Sequence, residues 1–209
     1  MKKEQLRLYL VTDRGIAGKR DLEDIVLQAV RGGATMVQLR EKDLCTRDFI
    51  EEARRLTTVL GPLGIPLIIN DRVDVALAAG ADGVHIGQSD MPYSDARQLM
   101  GPEKIIGLSV ENLEQVLLAN SLDVDYIGIS PVFITPTKTD TAAPFGLDGL
   151  REAVRLSVHP TVAIGGMNID TARAVMQTGT DGIAVVSAII GAESPFDAAR
   201  ELSDIISGI

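Results

Sequence analysis

The chain has 209 residues, of which 45% are hydrophobic and only 3% aromatic, so its core must be built from Val, Ile, Leu and Ala. A net charge of −9 argues against nucleic acid as a partner, because that affinity depends on Lys and Arg neutralising phosphates. Cys45 is the single cysteine, which excludes an internal disulfide. No apolar run has the length of a signal peptide or a membrane span. We therefore expect one cytoplasmic domain over residues 1–209, and a homo-oligomer is left open.

Short apolar runs recur along the whole chain and predict β-strands. Most of them lack the polar alternation of half-exposed strands, so we expect these strands to be buried on both faces. The eight predicted strands are Leu8–Val11, Met36–Leu39, Leu67–Ile69, Val84–Ile86, Ile105–Leu108, Tyr126–Ile129, Thr161–Ile164 and Ile183–Val186.

Helical patterns lie between most of these strands. Asp21–Arg31 and Thr46–Leu60 carry apolar residues at helical spacing, and Arg72–Ala79 predicts a shorter helix. Further helix starts are predicted at a capping box of Asn112 and Gln115, at Ser194-Pro195 and within VVSA. Cys45 is predicted to cap or pack at a helix start.

A glycine that ends a helix and precedes a strand recurs in RGGATMVQL, AAGADGVHI and QTGTDGIAV. Eight strands with helical crossovers predict a single-domain α/β fold, the closed parallel (β/α)8 barrel. The alternative is an open doubly wound sheet, but no G-x-G-x-x-G follows the first strand.

Polar residues gather where the predicted strands end, which is where such barrels place their chemistry. In QLREK, the side chains of Gln38, Arg40 and Lys42 point the same way if the extended geometry continues. Two cations and an amide would then face the barrel mouth. The alternative is surface ion pairing of Arg40 or Lys42 with Glu41.

Two carboxylates follow neighbouring strands. Asp71 comes after the third strand and Asp90 after the fourth, so both carboxylates can share one cation. Hard oxygen ligands suit Mg²⁺, which also binds substrate phosphates. The alternative is local: Asp71 would begin a helix and Asp90 would stabilise a turn.

Two further segments suit phosphate groups. Gly165-Gly166 after the seventh strand lets backbone amides approach an anion, and ITPTKTD after the sixth strand offers Thr135, Thr137 and Lys138. Lys138 as a Schiff-base lysine is the alternative, but it lies among threonines and not in an apolar site. His85 and His159 are given no role.

These stretches together resemble the thiamine-phosphate synthase family, also called thiamine-phosphate pyrophosphorylase. The resemblance covers nearly the whole chain, and the combination of QLREK, ND, GQSD and TPTK is its specific part. The stretches that carry it are LYLVTD, GGATMVQLREK, NDRVDVALAAGADGVHIGQSD, TPTK, VAIGGM and AVVSAI.

The resemblance implies a transferase with a (β/α)8 barrel and Mg²⁺ as cofactor. Its substrates would be 4-amino-2-methyl-5-(hydroxymethyl)pyrimidine diphosphate and a thiazole phosphate, with a carboxylated thiazole phosphate also allowed, and the products would be thiamine phosphate and diphosphate. No nucleic acid or membrane partner is implied.

The resemblance also implies roles for particular residues. Gln38, Arg40, Lys42 and Asn70 would hold the pyrimidine diphosphate, and Asp71 and Asp90 would bind Mg²⁺. Ser109 and Lys138 would contact the diphosphate or the pyrimidine, and Thr135, Thr137, Gly166, Val186 and Ser187 would hold the thiazole phosphate. Leu39, Glu41 and Pro136 complete the substrate-binding set, and Arg40, Lys42, Ser109 and Lys138 would be catalytic.

The chain departs from the family pattern at Ser130 and Ile134, where similar chains often have Gly and Pro, and at Glu111, where a histidine is common. Diphosphate leaves readily once its charge is neutralised, and the aminopyrimidine can stabilise the methylene cation that remains. We therefore expect a dissociative substitution. The competing readings are a related thiazole tautomerase and a non-catalytic barrel that binds a phosphorylated metabolite.

Overall fold

The structure is a computed structural model and describes residues 1–134 and 143–208. Eight parallel strands close into a barrel in sequence order, and β8 pairs with β1. The strands are β1 (Leu8–Val11), β2 (Met36–Leu39), β3 (Leu67–Asn70), β4 (Gly83–Ile86), β5 (Ile105–Val110), β6 (Tyr126–Ile129), β7 (Thr161–Ile164) and β8 (Gly182–Val185). The predicted (β/α)8 barrel is confirmed.

Helices surround the barrel. They are α1 (Arg14–Ala17), α2 (Leu22–Gly32), α3 (Thr46–Leu60), α4 (Val73–Ala79), α5 (Tyr93–Met100), α6 (Leu113–Ala119), α7 (Gly146–Leu156), α8 (Ile169–Met176), α9 (Ser187–Ile190) and α10 (Pro195–Ser207), with 3-10 turns at Lys3–Leu6 and Gly61–Leu63. None of the helices in residues 1–134 and 143–208 has the length and apolar character needed to cross a membrane.

The core has two layers because both faces of the strands are buried. An outer layer lies between strands and helices and is built mainly of Leu, Ile, Val and Ala. An inner layer fills the barrel and includes two large polar rings, those of Tyr9 and Tyr126. Both tyrosines are at most 1% exposed. The barrel interior is therefore packed with side chains.

The helix boundaries follow their local chemistry. Asp21 accepts a hydrogen bond from the Glu23 amide at the start of α2, and Ser194 accepts one from the Asp197 amide at the start of α10. Gly33, Gly80 and Gly179 have positive φ angles of 118°, 70° and 94° after α2, α4 and α8. These are the three glycine endings that the sequence predicts.

Three local expectations need correction. Only half of the capping box at α6 forms: the Asn112 side chain accepts from the Gln115 amide, but the Gln115 side chain accepts from the Glu111 amide. Cys45 precedes α3 but is exposed, and its side chain makes no capping hydrogen bond. Ser109 lies inside β5 and not after it, because that strand continues to Val110.

Candidate active site at the barrel mouth

A cavity of about 870 Å³ opens at the carboxyl ends of the strands. Most of the predicted site residues line it: Gln38, Arg40, Lys42, Asn70, Asp71, Asp90, Ser109, Gly166, Val186 and Ser187. Thr135, Pro136, Thr137 and Lys138 lie outside the described residues. Ile134, the last described residue before them, also lines the cavity. The described chain resumes at Ala143.

The alternation of QLREK separates its side chains as predicted. Gln38, Arg40 and Lys42 line the cavity, whereas Leu39 is fully buried in the outer core and Glu41 lies against Arg14 on the other side of the segment. The surface pairing of these cations with Glu41 is therefore wrong. Leu39 and Glu41 have no side chain in the cavity.

Arg40 and Lys42, the cations that line the cavity in the described part of the chain, each have an acidic partner. The Arg40 guanidinium donates to Asp13 Oδ2 over 3.2 Å, and the Arg40 amide donates to Thr12 Oγ1. The Lys42 ammonium lies 2.7 Å from Asp71 Oδ2, and its side chain is still 52% exposed. Arg40 is thus oriented by the two residues that follow β1, while Lys42 remains accessible to a ligand.

Asp71 and Asp90 lie side by side, because β3 and β4 are paired. Burial tends to raise the pKa of Asp71, but hydrogen bonds from Lys42 and Asp90 outweigh it and lower that pKa. Burial raises the pKa of Asp90, helped by the negative charge of Asp71 and opposed by the Gly87 amide, which donates to Asp90 Oδ2 over 2.7 Å. Two carboxylates this close need a shared proton or a shared cation.

The local alternative for these carboxylates holds only in part. Arg72 and not Asp71 precedes α4, so Asp71 does not cap that helix. Asp71 instead has a left-handed backbone with φ 63°, fixed by its amide donating to the His85 carbonyl over 2.8 Å. Asp90 does stabilise its own turn through the Gly87 amide while it contacts Asp71.

The donor set of this pair suits Mg²⁺. Within residues 1–134 and 143–208, no group of three or more His, Cys, Asp or Glu side chains is arranged to hold a metal. Mg²⁺ is commonly held by one or two carboxylates together with waters and substrate phosphates, so a pair is enough. The residues present fit a magnesium ion that arrives with a phosphorylated ligand.

The loop after β7 offers backbone groups to an anion. Gly165 and Gly166 have φ angles of 103° and 73°. Their carbonyls are engaged, since Gly165 O accepts from the Phe133 amide and Gly166 O from Thr171 Oγ1. Within the described residues, no backbone acceptor engages the Gly166 amide. An anion contact of the Gly166 amide stays a prediction.

A row of buried hydrogen bonds crosses the barrel beneath the cavity. Gln38 Nε2 donates to Tyr9 Oη over 2.8 Å, and Tyr9 Oη lies 2.9 Å from Tyr126 Oη. His85 then joins the two sides, with Nδ1 2.9 Å from Tyr126 Oη and Nε2 2.8 Å from Ser109 Oγ. Burial lowers the pKa of His85 to about 4 and raises that of both tyrosines.

Sequence reasoning missed Tyr9, Tyr126 and His85. All three lie within the predicted strands, and the sequence pattern assigns His85 no role. The signal that could have found them is strand alternation, because residues an even number of positions apart on a strand face the same side. Each of the three shares the barrel-facing side of its own strand with a neighbour. Polar side chains at such positions are almost fully buried, so they must find most of their hydrogen-bond partners across the barrel.

A closed parallel barrel with a polar cavity at its carboxyl end is characteristic of (β/α)8-barrel enzymes. The family model described as "Thiamine monophosphate synthase" matches residues 8–189. A thiamine-phosphate synthase from Albidiferax ferrireducens is 56% identical over 206 residues, covering 99% of this chain and 94% of the relative. The chain belongs to the thiamine monophosphate synthase family, which are transferases of thiamine biosynthesis.

Two other similarities agree with this membership. A thiamine-phosphate synthase from Vibrio parahaemolyticus is 53% identical over 203 residues, covering 96% of this chain and 98% of the relative. The solved structure of thiamine phosphate pyrophosphorylase from Pyrococcus furiosus has a TM-score of 0.91 and 42% identity, covering 99% of this chain and 98% of that one. The resemblance seen in the sequence is therefore confirmed.

Proposed function

We propose that this chain joins 4-amino-2-methyl-5-(hydroxymethyl)pyrimidine diphosphate to 4-methyl-5-(2-phosphoethyl)thiazole, giving thiamine phosphate and diphosphate. The carboxylated thiazole phosphate is an allowed variant of the second substrate. The observation that carries the proposal is the cluster of Lys42, Asp71 and Asp90 in the cavity, with Lys42 Nζ 2.7 Å from Asp71 Oδ2. The enzyme would act as one domain over residues 1–209, in the cytoplasm.

The pyrimidine diphosphate would occupy the side of the cavity formed by β2 to β5. Arg40 and Lys42 are the cations available to its phosphate oxygens, while Gln38, Asn70 and Ser109 are the neutral groups nearby. Asp71 and Asp90 would hold Mg²⁺, which when bound supplies positive charge to the departing diphosphate. Lys138, outside the described residues, is proposed as a further cation for that leaving group.

The thiazole phosphate would occupy the side formed by β6 to β8. Gly166 supplies a backbone amide, Val186 and Ser187 line the cavity at the start of α9, and Thr135 and Thr137 are proposed to join them. This division keeps the two anions apart. It also lets the phosphate tail hold the thiazole ring while its nitrogen faces the pyrimidine.

The substitution requires one bond to break and one to form. The bond between the methylene carbon and the diphosphate oxygen breaks, and diphosphate leaves with the electron pair. The aminopyrimidine stabilises the methylene cation, and the thiazole nitrogen lone pair then forms the new carbon–nitrogen bond. The chain's residues contribute charge and positioning, and no protein nucleophile is required.

Product formation from the two purified substrates tests the proposal. The reaction is followed with Mg²⁺ present and after EDTA treatment, and thiamine phosphate and diphosphate are measured together. Equal amounts of both products, lost with EDTA and restored by Mg²⁺, support the transferase. Interconversion of thiazole tautomers without coupling supports the tautomerase reading, and binding without any conversion supports the non-catalytic barrel.

A further inference from the structure

The buried row from Gln38 to Ser109 joins two cavity-lining residues that lie on opposite sides of the barrel. Gln38 is on β2 and Ser109 on β5, and the connection passes through Tyr9, Tyr126 and His85. These three side chains are between 0% and 9% exposed, and Gln38 is 5% exposed. The two phenol hydroxyls and both ring nitrogens of His85 must therefore find their partners within the row.

The donors and acceptors in this row can be arranged in two consistent ways. A phenol carries one hydrogen, and a neutral imidazole has one donor and one acceptor nitrogen. If Gln38 Nε2 donates to Tyr9, then Tyr9 donates to Tyr126, Tyr126 to His85 Nδ1, and His85 Nε2–H to Ser109. The opposite direction requires the Gln38 amide to turn, so that its oxygen accepts from Tyr9.

The structure has Gln38 Nε2 on Tyr9 Oη, which selects the first arrangement. At one end the Gln38 carbonyl oxygen is then available to the cavity as an acceptor. At the other end Ser109 accepts from His85, and its own hydrogen is available to the cavity as a donor. The two ends are coupled, because reversing one reverses every bond between them.

We propose that Tyr9, Tyr126 and His85 are positioning residues that make Gln38 an acceptor and Ser109 a donor toward the pyrimidine. A 4-aminopyrimidine offers the complement, an amino donor and ring-nitrogen acceptors. A 4-oxopyrimidine replaces the amino donor by a carbonyl acceptor and is disfavoured. This specificity rests on the proposed function for the identity of the substrate, but the direction of the row does not.

Two glycines leave the space that the row needs. A Cβ at Gly107 on β5 would overlap the Tyr126 ring and come within 2.5 Å of His85 Nδ1. A Cβ at Gly128 on β6 would lie 3.1 Å from His85 Cε1. The barrel thus lacks side chains at two positions where they would displace the imidazole, as expected if its placement matters.

The tautomer of His85 tests the direction of the row without any substrate. Nitrogen NMR of the imidazoles at neutral pH should show His85 protonated at Nε2 and not at Nδ1. His159 is the chain's other histidine, and its Nε2 lies 3.0 Å from the Ala119 carbonyl, so it must donate there and serves as an internal reference. Protonation of His85 at Nδ1 would overturn the proposed direction.

The substitution Tyr126→Phe tests the specificity, because it removes the central hydroxyl and little else. The ligands are the monophosphates of the 4-amino pyrimidine and its 4-oxo analogue, which lack the diphosphate leaving group, and their affinities are measured by calorimetry. Breaking the row lets Gln38 and Ser109 reorient independently. We expect the preference for the amino ligand to fall about tenfold or more.

The matched control is Tyr93→Phe, because Tyr93 donates to the Asp123 carbonyl far from the row. It should leave the preference unchanged, and thermal unfolding should show both variants folded. A Tyr126→Phe variant that weakens both ligands equally, or neither, would overturn the specificity. Failure of the wild-type protein to bind either ligand would count against the proposed substrate, while the His85 tautomer would still report the direction of the row.

Discussion

Asp71 has a left-handed backbone conformation, and its carboxylate lies close to other charged groups. Its φ angle of 63° lies in the left-handed region, which most side chains avoid and which Asp and Asn tolerate better than others. That conformation is held by the hydrogen bond that the Asp71 amide donates to the His85 carbonyl. The carboxylate is thereby fixed between Lys42 and Asp90, where a metal ion and a diphosphate would meet.

Asp71→Asn is the informative substitution at this position, because Asn keeps the shape and tolerates the left-handed backbone while losing the charge. We expect turnover to fall by orders of magnitude and the dependence on Mg²⁺ to weaken, with little change in thermal stability. Turnover is measured across a magnesium titration. Asp74→Asn is the control, since Asp74 is 61% exposed and pairs with Arg72. Full activity of Asp71→Asn in EDTA would refute the metal role.

Glu41 illustrates a different consequence of burial. Its side chain is only 2% exposed, and one of its oxygens has no hydrogen-bond partner among the described residues. Burial, together with the nearby Glu52, raises the pKa of Glu41 from 4.5 to about 7, and Arg14 only partly opposes this. Arg14 is shared, because it also forms an ion pair with Glu52.

The raised pKa predicts how stability depends on pH. A carboxyl that keeps its proton in the folded state stabilises that state fully below pH 4.5, and this contribution is lost as the pH rises through about 7. The loss amounts to roughly 3 kcal/mol at most. Glu41→Gln cannot ionise, so we expect it to be more stable than the wild-type protein at pH 8 and to differ less at pH 5.

Denaturant unfolding at both pH values measures this difference. The control is Glu152→Gln, because Glu152 is on the surface of α7 and pairs with Arg155 three residues later. If the stability gain of Glu41→Gln is the same at both pH values, Glu41 does not keep its proton in the folded protein.

At the scale of single elements, the loop after β7 depends on the absence of side chains. A Cβ at Gly166 would lie 2.9 Å from Phe133 Cβ in the loop after β6, and its φ of 73° is unfavourable for other residues. The close approach of these two loops forms one wall of the cavity. A side chain at Gly166 therefore alters both the backbone and the wall.

Gly166→Ala should raise the Michaelis constant for the thiazole phosphate much more than that for the pyrimidine diphosphate. The reason is that the Gly166 amide would move away from the phosphate, while Arg40 and Lys42 stay in place. Gly64→Ala separates conformational strain from site geometry, since Gly64 has a φ of 67° and nothing within 4 Å of an added Cβ. Steady-state kinetics with each substrate varied give the comparison, and equal increases for both would contradict separate anion sites.

For the molecule as a whole, local sequence patterns predict the strands and one side-chain contact but not the buried row of hydrogen bonds. Short apolar runs predicted the eight strands, and adjacency in the barrel predicted that Asp71 and Asp90 would meet. The row from Gln38 to Ser109 was not predictable in this way. Its contacts join residues up to 117 positions apart, as between Tyr9 and Tyr126, and depend on space left by Gly107 and Gly128.

Partners of the cations also had to come from the structure. In the sequence, Glu41 is the nearest ion-pair partner for Arg40 and Lys42, because it lies between them. Strand alternation turns Glu41 away, and Asp13 from β1 and Asp71 from β3 take its place. Pairing across strands depends on register, which short apolar runs do not determine.

The net charge of −9 creates a problem for any enzyme that binds polyanions. The overall field repels diphosphate, and in the mouth Lys42 and Arg40 are already paired with Asp71 and Asp13. Bound Mg²⁺ would neutralise Asp71 and Asp90 and release Lys42 toward the ligand. Metal and diphosphate should therefore bind cooperatively, each supplying the charge that the other requires.

This coupling predicts a synergy in thermal stability, because any ligand of the folded state raises the unfolding temperature according to its occupancy. Inorganic diphosphate alone and Mg²⁺ alone should each produce small shifts, and both together a shift larger than their sum. A ligand at about a hundred times its dissociation constant stabilises the folded state by roughly 2.7 kcal/mol, which a melting curve resolves. Asp71→Asn should abolish the synergy while Asp74→Asn retains it. Additive shifts in the wild-type protein would mean that diphosphate binds to the cations without the metal, and that Asp71 and Asp90 serve only to orient Lys42.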